Sequence, residues 1–254
     1  MFIDTHSHIH FEQFDSDREL VLQRAIKNKV NSIIDIGTDV ETSQQAISLA
    51  EKYAVVHAAV GIHPNDADKA DGANLKKIEE FANHDKVVAI GEIGLDYYRM
   101  YVPKEIQQEV FRKQIHLAKQ LHLPIIVHNR DAHEDTMKIL KEEKAGSFGV
   151  VLHSFSGSDE FLEEALAENF FISFTGVITF KNSDYIHLID RMPLKQLLLE
   201  TDCPFLTPMP FRGKRNEPSY IKYTAEKITK IKGIPLEELG AITTDNAINL
   251  FGLK

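Results

Sequence analysis

Cysteine is almost missing from this sequence: one residue, Cys203, among 254. A lone cysteine excludes an internal disulfide and suits a reducing compartment. Long apolar runs are missing too, and none approaches the length of a membrane span. The first residues lack a basic stretch followed by an apolar one, so no secretory leader is expected. Together these absences set the expectation of a cytoplasmic protein without a membrane partner. Positive charge is in deficit, with 29 Lys and Arg against 38 Asp and Glu, a net charge of −9. That balance argues against the broad basic surface of a nonspecific DNA binder. It leaves room for a local cationic site, because bound divalent ions add charge that the global sum does not count. No low-complexity tract, Pro/Gly/Ser-rich linker or shift in composition divides the chain. Residues 1–254 are therefore expected to form one domain, a size that α/β barrels commonly reach around a single core.

What is present is a repeating pattern. Short apolar, β-branched runs predict strands near Phe2–Asp4, Ser32–Ile36, Val55–Val60, Val87–Gly91, Pro124–Val127, Gly149–Leu152, Phe170–Ser173 and Gln196–Leu199. Several are apolar throughout instead of alternating, as befits parallel strands buried on both faces. The intervals, about twenty to forty residues, leave room for a crossover helix each time. Helical signals fill them. "TDVE" from Thr38 and "DAHE" from Asp131 have the spacing of a capping box. Pro103 suits a first helical position, with Ile106, Val110, Leu117 and Leu121 following at helical spacing. Eight strand-and-helix units predict a (β/α)8 TIM barrel, with a doubly wound open sheet as the alternative.

The chemistry lies just after the apolar runs. "IDTHSHIH" yields His6 and His8, which at i and i+2 of a strand point to one face. "VGIHP" yields His63, "VVAIGEIGLD" Glu92, "PIIVHNRD" His128, "GVVLHSFSG" His153 and "LLLETDCP" Asp202. In a barrel all of these stand at the C-terminal rim, where active sites are built. Imidazole and carboxylate ligands suit zinc, manganese or similar divalent ions, and carboxylates favour the harder ones. Two ions need a bridge, and Glu92 has two oxygens to provide it. His6, His8 and Asp202 would complete one ion's shell, and His128 and His153 the other's. A water acidified between the ions becomes a nucleophile at neutral pH, and Asp202 is the candidate general base for its proton.

The constellation resembles the amidohydrolase superfamily, and more closely its TatD branch of metal-dependent deoxyribonucleases. "DTHSHIH", "VGIHP", "AIGEIGLDYY", "PIIVHNRDA", "LHSFSG", "LLLETDCP", "PFRGKRNEP" and "TTDNAINLF" carry the likeness, in order, along the whole chain. It implies a (β/α)8 fold, a two-metal centre and hydrolysis of DNA phosphodiester bonds. It places the metal ligands at His6, His8, Glu92, His128, His153 and Asp202, with glutamate where amidase-type relatives usually carry a carbamylated lysine. The resemblance alone implies a 3′ to 5′ exonuclease.

Around this set, His63 is a candidate catalytic contact to a substrate phosphate or leaving group, outside both ligand shells. Arg212, Lys214 and Arg215 in "PFRGKRNEP" are candidates for gripping the nucleic-acid backbone, with Arg99 and Arg130 as further ones. Tyr98, beside Tyr97, is a candidate platform for a base, which favours single strands or ends. Glu200 could orient a histidine ligand or form a structural ion pair. Cys203 reads as a small buried side chain. Magnesium, manganese and zinc all fit the ligand types. Two rival functions remain: hydrolysis of a small cyclic amide, lactone or ester on the same scaffold, and a non-catalytic binding module. The intact ligand set argues against the second rival.

Overall fold

A computed structural model describes residues 1–181 and 183–253. Among them the apolar runs form eight strands: β1 Phe2–Ser7, β2 Val30–Ile36, β3 Val56–Val60, β4 Val87–Asp96, β5 Ile125–Arg130, β6 Val150–Leu152, β7 Phe171–Phe174 and β8 Leu197–Leu199. Helices α1 Arg18–Lys27, α2 Val40–Lys52, α3 Gly72–Ala82, α4 Lys104–Leu121, α5 His133–Glu142, α6 Asp159–Ala167 and α7 Ile186–Arg191 stand between them. After β8 come α8 Ile221–Lys232 and α9 Leu236–Phe251. The sheet order follows the chain, β1 to β8. A doubly wound sheet would reverse its strand order at a switch point, and this one does not. The arrangement is the (β/α)8 class. No helix among the described residues is long and apolar enough to cross a membrane.

Two compact units are distinguished, Met1–Asp35 with Ile172–Lys254, and Ile36–Phe171. Both boundaries fall inside strands, β2 and β7, and not in linkers.

In the central unit, β4 is buried along all ten residues and pairs in parallel with β3 and β5. Three strands run further than their apolar stretches predict. β1 continues to Ser7, β4 to Asp96 and β5 to Arg130. The extensions of β1 and β5 are polar, and that of β4 alternates Glu92, Gly94 and Asp96 with Ile93 and Leu95. The ladder persists there, with Gly94 opposite His128 and Asp96 opposite Arg130. Gly94 is required there: its φ is +139°, and a Cβ would sit 2.0 Å from the His128 carbonyl oxygen.

Helix α4 buries Val110, Phe111, Ile115 and Ala118. Phe111 and Ile115, almost wholly removed from water, contribute about 2 kcal/mol each. The same helix buries two glutamines that complete strand ends. Gln107 accepts from the Asp96 N–H at 2.8 Å and donates to the carbonyls of Asp96 and Val102. Gln114 accepts from the Ile62 N–H at 2.7 Å and donates to the Ile62 carbonyl at 2.9 Å. Each glutamine satisfies buried backbone next to a chemical residue, His63 after β3 and Asp96 at the end of β4.

The caps differ in detail from their expected positions. Asp39, not Thr38, caps α2, and Thr42 returns the bond by accepting the Asp39 N–H at 2.9 Å. Helix α5 begins after Ala132 without a side-chain cap, since Asp131 takes a left-handed φ of 54°.

Candidate metal centre

The first candidate group, His6, His8 and Asp202, lies in the unit formed by the two chain ends. β1 carries His6, and His8 follows just past its last residue, both buried. Their Nε2 atoms face each other at 3.2 Å. Asp202 Oδ1 lies 3.5 Å from His8 Nε2 and 3.8 Å from His6 Nε2. Backbone bonds lock the three together. The Asp202 N–H donates to the His6 carbonyl at 2.9 Å, and the His8 N–H to the Cys203 carbonyl at 2.8 Å. Below them the Thr201 N–H and hydroxyl both donate to the Asp4 carboxylate, at 2.9 and 2.6 Å. Cys203 is fully buried, and burial pushes its thiol well up, so it is no nucleophile.

The second group lies in the central unit and converges on one oxygen. Glu92 Oε1 is 2.8 Å from His128 Nδ1, 2.9 Å from His153 Nε2 and 3.6 Å from His63 Nε2. His153 Nε2 and His128 Nδ1 are 3.4 Å apart. The backbones are again anchored: Glu92 N–H to the Gly37 carbonyl, His63 N–H to Thr38, His153 N–H to Val127.

These spacings test whether the residues suit a cation. Two nitrogens bound at 2.0–2.1 Å to a tetrahedral ion lie about 3.3 Å apart. The His6–His8 and His128–His153 pairs, at 3.2 and 3.4 Å, meet that condition. Each pair has a carboxylate oxygen beside it. Nitrogen-and-oxygen sets of this kind suit divalent ions such as zinc or manganese.

His63 enters the second group in space, and its tautomer defines its part. Nδ1 accepts the Asn65 N–H at 3.1 Å, so the neutral ring carries its proton on Nε2. Burial first, and the neighbouring His128 next, push this imidazole down to about 3. It is a neutral donor facing Glu92. Burial acts to raise the Glu92 carboxyl, but His153, His63 and His128 outweigh it and hold it well below its ordinary range.

Asp96 was not legible as a site residue. Its Oδ2 lies 3.2 Å from His128 Nε2, and its Oδ1 accepts the Arg99 N–H at 2.8 Å. An ionised carboxylate only accepts, so His128 Nε2 carries a proton toward Asp96, while Nδ1 faces Glu92 and His153. The signal was period two, which places Glu92, Gly94 and Asp96 on one face of a strand longer than its apolar run. Burial lowers and the Asp96 and Glu92 bonds raise His128, with a net rise. Against the opposing effect of burial, the His128 hydrogen bond and the Arg99 N–H take Asp96 from 3.8 down to about 2. Its ionised form therefore stabilises the fold above pH 3.8, and that contribution is lost as pH falls through about 2. Replacing Asp96 with asparagine is expected to lower the unfolding free energy of metal-free protein by about 2 kcal/mol at pH 7. Denaturant titrations should show the gap closing between pH 4 and pH 2. A gap unchanged down to pH 2 would contradict the ionised pair.

The remaining predicted residues divide. Arg215 donates to both carboxylate oxygens of Asp17 at 2.8 Å and lies 4.4 Å over the Phe14 ring. Asp17 also binds Arg24, which pairs with Glu217. That network occupies the Arg215 guanidinium. Arg212 and Lys214 remain exposed on the same loop, Arg212 lying 4.4 Å over Phe180. Tyr97 is held by Asp135 and Gln108 at 2.7 Å each, whereas Tyr98, Arg99 and Arg130 are exposed. Glu200 is buried and accepts from the Ser173 hydroxyl at 2.6 Å. His10, outside the ligand set, is buried against Asp35, with Nδ1 3.1 Å from Oδ2.

A (β/α)8 chain with imidazoles and carboxylates gathered at its strand ends in cation-sized groups is a metal-dependent hydrolase in class. The chain matches the family model TatD related DNase over residues 3–252, and it belongs to that family. An uncharacterised metal-dependent hydrolase of Bacillus subtilis is 51% identical over the full length of both chains. A protein of Shigella flexneri named as the 3′-5′ ssDNA/RNA exonuclease TatD is 35% identical, with 95% of each chain covered. The crystal structure of a TatD homologue from Escherichia coli superimposes with a TM-score of 0.94 at 34% identity, covering 100% of this chain and 98% of that one.

Proposed function

We propose that the protein is a two-metal DNA phosphodiesterase that removes nucleotides from the 3′ ends of single strands. The observation that carries the metal part is the spacing of the two nitrogen pairs, 3.2 and 3.4 Å, each beside a carboxylate. The nuclease part is supported by family membership and by the activity named for the Shigella relative. In this reading His6, His8 and Asp202 hold one divalent ion and His128 and His153 the other, with Glu92 as the shared ligand. Magnesium, manganese and zinc all remain admissible.

Bound ions would supply an acidified water and positive charge for the attacking and leaving oxygens. The chain's residues supply the rest. Asp202 has a side chain 14% exposed against 6% for Glu92, so it is the ligand carboxylate better placed to pass a proton to solvent. His63 Nε2–H donates to a phosphate oxygen, and its low pKa keeps it neutral for that task. Asp96 fixes the ring of His128. Arg212 and Lys214 contact the backbone of the strand, while Arg215 braces the loop that carries them. One domain over 1–254 belongs to this proposal, since the family model spans 3–252. So does a cytoplasmic setting, supported by the single buried cysteine.

The test is a single-stranded oligomer labelled at its 5′ end and incubated with chelator-stripped protein, before and after manganese or magnesium is restored. A ladder that shortens stepwise only with metal is the expected result. An oligomer intact under every ion, with a cyclic amide or lactone hydrolysed instead, would replace the nuclease reading with the small-molecule one.

A further inference from the structure

The loop between β4 and α4 exposes three large apolar side chains, Tyr98 at 62%, Met100 at 44% and Tyr101 at 66%. Such exposure usually marks a mobile tip, yet this loop is pinned. The Tyr97 N–H donates to the Arg130 carbonyl at 2.8 Å, and the Tyr97 hydroxyl to Asp135 at 2.7 Å. The Arg99 N–H donates to Asp96, and Gln107 holds the carbonyls of Asp96 and Val102. Val102 packs into a small core with Ala67 and Val110. Met100, between Arg99 and Tyr101, takes a left-handed φ of 50° within this loop. Each exposed ring has a cation on it. The Arg130 guanidinium lies 3.9 Å from the Tyr98 centroid, and the Arg99 guanidinium lies 5.8 Å from that of Tyr101 and donates to its hydroxyl at 3.0 Å.

From this arrangement we infer that Tyr98 and Tyr101 form a stacking platform for unpaired bases, with Arg99 and Arg130 meeting the adjoining phosphates. The inference rests on the nucleic-acid reading and deepens it, because it assigns the preference for unpaired strands to a named surface. Aromatic faces flanked by guanidinium groups are what sequence-tolerant single-strand binders present. A duplex keeps its base faces covered and offers the rings nothing to stack on. In a chain of net charge −9, two arginines on one pinned surface form a local cationic patch for a polyanion. Asp96 joins the platform to the second ligand group, holding the Arg99 N–H with one oxygen and His128 with the other. A base stacked on Tyr98 therefore sits on the loop that leaves this group.

The test separates binding from cleavage. Fluorescence anisotropy in chelator would compare a labelled oligothymidylate with an abasic strand of equal length. Wild-type protein should bind the oligothymidylate more tightly. The double variant Tyr98→Ala, Tyr101→Ala should weaken that binding by about tenfold or more, and leave the abasic strand almost unaffected. Tyr98→Phe with Tyr101→Phe, which keeps both rings, should bind as wild type does. Equal loss on both strands, no loss on either, or no binding by wild type would overturn the platform. Self-association abolished by the alanines, with DNA binding intact, would assign the patch to a second copy of this chain. Cleavage with manganese reports separately on the nuclease. A wild type that stacks DNA without cutting it would retain the platform and reject the nuclease, whereas cutting with an unchanged KM in the alanine variant would do the reverse.

Discussion

Replacing Glu92 with glutamine is expected to reduce metal-dependent turnover by about a thousandfold or more and to lower the metal bound per chain. The size follows from what is lost. A divalent ion contributes several kcal/mol of charge stabilisation, and each 1.36 kcal/mol is a factor of ten in rate. Glu92 is buried, and three imidazoles hold its carboxyl well below the ordinary range. Glutamine keeps the volume and removes the charge that attracts the ion. It also replaces the carboxylate oxygen that His128, His153 and His63 face, at 2.8, 2.9 and 3.6 Å, with a neutral amide. Metal analysis and kcat together check the result. A variant with wild-type metal content and turnover would remove Glu92 from the centre.

Replacing Asp202 with asparagine is expected to separate holding an ion from moving a proton. The amide would retain an oxygen near His6 and His8, where Asp202 Oδ1 stands 3.8 and 3.5 Å from their nitrogens, but it could not accept a proton. Loss of a positioned general base costs about 10²- to 10⁴-fold. Asp202→Asn should therefore show kcat reduced by that factor with much of the metal content kept. If kcat and metal content fall in proportion, Asp202 is a ligand only and the proton leaves by another group.

The fold was largely legible because strands buried on both faces advertise themselves as apolar runs, and each of the eight appeared close to its expected place. What the runs hid was where strands end. The buried extension from Glu92 to Asp96, with polar residues alternating with Ile93 and Leu95, lies beyond the apolar run, and it concealed Asp96 as the partner of His128. The residues of the two groups were legible, since an imidazole or carboxylate after nearly every apolar run has few structural uses. Their partners were not. That Arg215 pairs with Asp17 depended on where the start of α1 lay, some two hundred residues away in the chain. The same holds for the pairing of His10 with Asp35 and for the proton on His63, which the backbone N–H of Asn65 fixes. Local pattern identified the side chains, and long-range packing set their protonation and orientation.

The most direct measurement is an anomalous difference map from crystals grown with manganese, recorded at an energy where only manganese scatters strongly. Two peaks are expected, one among His6, His8 and Asp202 and the other among Glu92, His128 and His153. Peaks absent from both groups, or a single ion held by other residues, would contradict the centre built from these ligands.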